Sequence, residues 1–99
     1  MSIEVTIRHL EIGDAVKTQA HDKAAKLTEK FPDIEHVHVT IDKDGPFASA
    51  ALAIQGGHGA KVEAESKKPA VLEAIQDAFD KAEAQLRKNA ERRSEAKKQ

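Results

Sequence analysis

The spacing of apolar residues switches between two periods along this chain, and the order of the switches admits few folds. Ile3, Val5 and Ile7 alternate with Glu4, Thr6 and Arg8, the two-residue period of a half-buried strand. Val16, Ala20, Ala24, Leu27 and Phe31 then recur at steps of four and three. They make one apolar stripe on a helix that Gly13-Asp14 opens and Pro32-Asp33 ends, because proline disfavours helical geometry in the residue before it. Period two returns at Val37, Val39 and Ile41, again at Ala48, Ala50, Leu52 and Ile54, and again at Ala60, Val62 and Ala64. The cluster Asp42-Lys43-Asp44-Gly45-Pro46 reads as a turn between the first two of these runs, and Gly56-Gly57-His58-Gly59 as a hairpin connection between the last two. The middle run is alanine-rich and has little strand propensity of its own, so its assignment rests on lying between two turns. Pro69 then suits a helical first turn, with Ser66 to Lys68 as the approach. Val71, Leu72, Ile75, Ala78, Phe79, Ala82 and Leu86 form a long apolar stripe behind it.

The order β-α-β-β-β-α, with one apolar face per strand and one stripe per helix, predicts an α+β domain. Its simplest form is a four-stranded mixed sheet with both helices packed on one face, similar to a double-stranded-RNA-binding domain. The first β-α-β unit is expected to be a right-handed parallel crossover, with hairpins making the remainder antiparallel. A single domain is expected over residues 1–92. After Leu86 no large apolar residue appears, so residues 93–99 read as a basic tail with a frayed end.

Composition narrows the chemistry. The 99 residues contain no cysteine, which excludes a disulfide framework and thiolate metal sites. No segment approaches the roughly 20 apolar residues of a membrane span. The opening residues hold no apolar leader, so a cytoplasmic protein with no membrane partner is expected. Gly56-Gly57-His58-Gly59 lacks the spacing of a phosphate loop and joins two strands instead of opening a helix. His36 and His38 share a strand face at a spacing that can bind metal, but no third ligand and no cysteine accompany them, and a solvent-facing pair is expected. No serine lies in a nucleophile elbow, and nothing marks a pocket for the carboxylates Asp77 and Asp80. No catalytic residue, metal, cofactor or small-molecule substrate is expected.

Charge is where the sequence is uneven. The last nineteen residues carry seven Lys or Arg against three Glu, whereas the first eighty hold nine basic and fourteen acidic side chains. A net charge of −1 therefore hides a division of −5 and +4. Projected at 100° per residue, Lys23, Lys26 and Lys30 fall within about 60° of one another beside the first apolar stripe. Lys81, Lys88 and Arg92 cluster within about 40° beside the second, and Arg87 adds a planar fork suited to one phosphate. Both rows lie on the same angular side of their stripes and are expected to join into one basic surface facing a polyanion. The only aromatics are Phe31, Phe47 and Phe79. With none to spare for stacking bases, backbone and shape of structured RNA suit such a surface better than a single-stranded motif.

The segments Ile7-Arg8-His9-Leu10-Glu11-Ile12-Gly13-Asp14-Ala15, Asp22-Lys23-Ala24-Ala25-Lys26-Leu27 with Phe31, and His36-Val37-His38-Val39 occur in an order that resembles a known family. Ala74-Ile75 and Asp80-Lys81-Ala82-Glu83-Ala84-Gln85-Leu86-Arg87-Lys88 extend the likeness. The family is that of the short ribosome hibernation-promoting factors, which includes ribosome-associated inhibitor A and was also called the sigma-54 modulation proteins. The resemblance runs from about Ile3 to Lys88. It implies a non-catalytic factor that binds the small ribosomal subunit and its ribosomal RNA in the messenger and transfer RNA channel, inhibiting translation in stationary phase or stress. It also implies RNA contacts by Lys23, Lys26, Lys30, Lys81, Arg87 and Lys88, to which the second row adds Arg92. Off the ribosome a monomer is expected. Three other readings remain at this point: a protein-interaction module acting on a transcription factor, a general binder of structured RNA, and a small enzyme using His36 and His38 with a metal.

Overall fold

Register joins the alternating runs into one sheet. The computed structural model describes residues 2–9, 13–57 and 61–97, with side chains as far as residue 89. Its elements are β1 (Ser2–Arg8), α1 (Asp14–Lys30), β2 (Ile34–Asp44), β3 (Phe47–Gly56), β4 (Lys61–Lys68) and α2 (Val71–Lys97). The sheet order is β1-β2-β3-β4. β1 pairs parallel with β2, placing Ile3, Val5 and Ile7 opposite Val37, Val39 and Ile41. β3 is antiparallel to β2 and to β4, so Leu52 lies between Val39 and Ala64. The expected β-α-β-β-β-α fold is therefore the observed one.

One face of the sheet is the core. Val37, Val39, Ile41 and Ala50 are fully buried there, with Leu52, Ile54 and Val62 nearly so. α1 covers β1 and β2 with Ala20, Ala24 and Leu27, α2 covers β3 and β4 with Ala74, Ile75, Ala78, Phe79 and Ala82, and the helices touch along one seam. Both surfaces include buried alanines, Ala48 and Ala50 on β3 and Ala74, Ala78 and Ala82 on α2. The large chains between them contribute roughly 1.5–3 kcal/mol each by burial. Packing and pairing on both sides thus impose a strand on β3 that its propensity would not.

Local boundaries differ from the sequence reading in three places. The turn between β2 and β3 is only Gly45-Pro46, because β2 runs on to Asp44 and β3 starts at Phe47. Gly45 sits at φ +60°, where a side chain is strained. β4 continues through Ser66, Lys67 and Lys68, and α2 begins at Val71, with Ala70 accepting the first intrahelical bond from the Ala74 N–H at 3.1 Å. Pro69 therefore stands just before the helix, not in its first turn. The segments Leu10-Glu11-Ile12 and His58-Gly59-Ala60 lie outside the described residues, as do residues 98–99.

α1 starts from an extended Gly13 with Asp14 in its first turn and ends with Lys30 in its last, charges that suit the two ends of the helix dipole. The Phe31 N–H bonds the Leu27 carbonyl at 3.0 Å as Pro32 stops the helix. The backbone of α2 is helical to Lys97, which stretches the molecule to 50 Å along its longest axis against 23 and 18 Å across. No helix among the described residues is long and apolar enough to cross a membrane.

Candidate nucleic-acid interface

Two side-chain bonds fix the relation of the helices. Lys23 on α1 donates to Gln76 Oε1 on α2, and Lys30 Nζ donates to Glu83 Oε1 at 2.9 Å. Both pairs span the same fifty-three residues, so α1 and α2 run in the same direction. Between them lies a shallow groove of about 130 Å³, lined by Lys23, Lys26, Leu27, Lys30, Gln76, Phe79, Asp80 and Glu83. The first basic row thus faces the second helix, across a floor of Leu27 and Phe79.

The second row does not join it. Lys81 Nζ lies on the opposite flank of α2, 3.2 Å from the Glu65 carbonyl oxygen and 3.3 Å from Asp77 Oδ2. Lys88 is two turns further along the same line of the helix. Two helices running the same way, with rows on the same angular side, turn one row into the groove and the other out of it. Arg87 falls on the groove flank, 3.3 Å from Glu83 Oε1. So Lys23, Lys26, Lys30 and Arg87 are brought together, and Lys81 and Lys88 form a separate outer strip. The side chain of Arg92 lies outside the described residues.

The groove is a mixed field, since Asp80 and Glu83 stand among the cations. The Lys30 ammonium bonded to Glu83 holds this carboxyl below its usual range, with Arg87 adding to the effect. Lys26 and Lys88 make no side-chain hydrogen bond or ion pair among the described residues, and both are exposed. They are the readiest cations for a phosphate, whereas Lys23, Lys30 and Arg87 must share theirs.

On the outer flank, the Ser66 hydroxyl donates to Asp77 Oδ2 at 2.6 Å and Lys81 bonds the same oxygen. The serine hydroxyl first and Lys81 second hold the Asp77 carboxyl below its usual range. Gln85 Nε2 donates to the Glu63 carbonyl at 3.3 Å, so α2 side chains cap the free edge of β4. Ser66, which is 4% exposed, was outside the candidate residues. The alternation Val62, Ala64, Ser66 on one strand face is the signal that places it inward.

The opposite face of the sheet carries the histidines. His38 Nε2 is 2.9 Å from Thr6 Oγ1, and His36 is bonded to Ser2. Both are half-buried members of cross-strand pairs between β2 and β1, on the sheet face away from the helices, the solvent side expected for them. His9, at φ +56° just past β1, is 2.9 Å from Asp42 Oδ1, and this bond is the main cause of a lowered Asp42 pKa. Among the described residues no three His, Cys, Asp or Glu side chains form a potential metal site.

The comparisons with known proteins agree with this architecture. The crystal structure of the Thermus thermophilus Protein Y N-terminal domain superposes with a TM-score of 0.77 at 29% identity, covering 89% of this chain and 98% of that one. A ribosomal subunit interface protein from Coxiella burnetii superposes with a TM-score of 0.82 at 17% identity, covering 91% and 98% respectively, a likeness of fold. No curated protein sequence matches the chain. The profile of the family described as "Sigma 54 modulation protein / S30EA ribosomal protein" matches residues 3–94, and the chain belongs to that family.

Proposed function

We propose that this protein binds the small ribosomal subunit in the messenger and transfer RNA channel and inhibits translation there by occupancy, in stationary phase or stress. The family match over residues 3–94 carries the reading, since it supports association with the ribosome. The helix layer suits ribosomal RNA as a partner. It presents Lys23, Lys26, Lys30 and Arg87 around one groove and Lys81 and Lys88 on the next flank. Phe79 is buried in the core, Phe31 is half-buried against it, and the exposed Phe47 stands at the start of β3, outside the lining of the groove, so no ring is placed to stack a base there. Recognition then rests on phosphates and on the shape of a folded RNA. No step of bond making is required, and the cytoplasm is the compartment in which such a partner is met.

The test uses purified small subunits and a cell-free translation system. The protein is expected to pellet with subunits, to compete with transfer RNA and messenger for them, and to stop translation in proportion to occupancy. Pelleting without competition would place it elsewhere on the subunit. Equal affinity for arbitrary duplex RNA would favour a general structured-RNA binder, and binding that survives nuclease treatment and high salt would favour a protein partner.

A further inference from the structure

The two edges of the sheet are treated differently. At β4, Lys81 and Gln85 reach down from α2 to the carbonyls of Glu65 and Glu63, and the inward side chains Val62, Ala64 and Ser66 are 3, 8 and 4% exposed. At β1, no described residue outside β2 hydrogen-bonds the backbone, and the inward Ile3, Val5 and Ile7 are only half-buried beside fully buried Val37, Val39 and Ile41. The strand SIEVTIR holds no proline, glycine, bulge or inward-pointing charge to discourage pairing at an edge, and its two charges, Glu4 and Arg8, are of opposite sign and exposed.

Its side chains are complementary to themselves. Pairing β1 antiparallel with a second β1 about Thr6 sets Glu4 opposite Arg8 of the other copy, and by symmetry does so twice on the open face. The same register sets Val5 opposite Ile7 on the core face, where each is short of cover. The two-fold axis is then normal to the sheet, so both helix layers lie on one side. The flank of α1 next to the seam carries Asp14, Lys17 and His21 with the small Ala25 and Thr28, so the second copy meets no row of like charge.

We infer that the β1 edge is a self-association surface, on which two copies of this chain form an eight-stranded sheet in place of the monomer expected from sequence. A seam of five residues per copy is small, and a dissociation constant on the order of 10–100 µM is expected.

Sedimentation equilibrium of the full chain from low micromolar to about 1 mM tests this directly. The expected result is a concentration-dependent dimer. Glu4→Arg alone and Arg8→Glu alone each place like charges across the seam and weaken it by about tenfold. The double swap Glu4→Arg/Arg8→Glu restores opposite charges and the dimer. An equimolar mixture of the two single variants pairs as a heterodimer for the same reason. Both side chains are exposed, and thermal melts confirm that each variant is folded. A chain that stays monomeric throughout leaves the edge to a strand of some other protein and overturns the proposal. So does a dimer indifferent to the single swaps, or one that the double swap fails to restore.

Discussion

The two flanks of α2 carry similar residues and do different work. On the flank toward α1, Gln76, Asp80, Glu83 and Arg87 face a row of three lysines, and the contacts run from helix to helix. On the flank toward β4, Asp77, Lys81 and Gln85 are tied to Ser66 and to strand carbonyls. A helical projection shows both lysine rows beside apolar stripes and cannot tell them apart. The difference lies in what stands opposite, a second helix with carboxylates in one case and the edge of a sheet in the other. One flank is thus a partly neutralised cationic groove and the other a buttress with two exposed lysines.

The strongest way to break this comparison is to invert the groove. Lys23→Glu, Lys26→Glu and Lys30→Glu together are expected to weaken small-subunit binding by about 100-fold or more, because three phosphate contacts turn repulsive. They also set like charges against Asp80 and Glu83, so Tm falls as well. Retained binding in the folded triple variant would move the interface off this groove. A finer cut compares the two unbonded cations. Lys26→Gln and Lys88→Gln should each cost about three- to tenfold in affinity with Tm unchanged, since neither ammonium is paired within the fold. A loss confined to Lys88→Gln would make the outer strip the sole interface.

Smaller still, and opposite in sign, is the effect of Glu83→Gln. Neutralising the carboxylate releases Lys30 and Arg87, so affinity should rise a few-fold and the salt dependence should steepen by about one to two contacts. Weaker binding would show that Glu83 positions these cations for the RNA instead of competing with it. The least effect on binding is expected from Ser66→Ala on the β4 flank. This change leaves subunit affinity alone and lowers Tm by a few degrees through loss of a hydrogen bond to a buried hydroxyl. Asp77 and Glu83 both have folded pKa values below the usual 3.8 and 4.5, so each adds stability above those values. That stability is lost as pH falls through the lowered folded values. Melting curves below about pH 4 should show the loss for both flanks in the parent, and a smaller Asp77 share in Ser66→Ala.

How much of this was readable in the sequence follows from what each feature depends on. Element order, strand faces and the two apolar stripes depend on local periodicity, and Val37, Val39, Ile75 and Ala78 lie where the pattern puts them. The end of β4 was missed because Ser66 is polar and the lysines after it resemble a linker, while the partner of its buried hydroxyl, Asp77, stands eleven residues on. The lysine rows were visible as rows. Their separation depends on α1 and α2 running the same way, a property of the topology that appears only when the projections are combined with strand order. Asp80 and Glu83 read as solvent-side or unassigned charges on a lone helix and become groove residues only once α1 is beside them.

The measurement that reaches the central claim most directly is the affinity of the unmodified protein for purified small subunits as monovalent salt is raised. A helix layer that binds ribosomal RNA through its cations predicts a log–log slope of about −3 to −6, as several phosphate contacts release their counterions. Affinity that does not change with salt, or no binding at low salt, would contradict it.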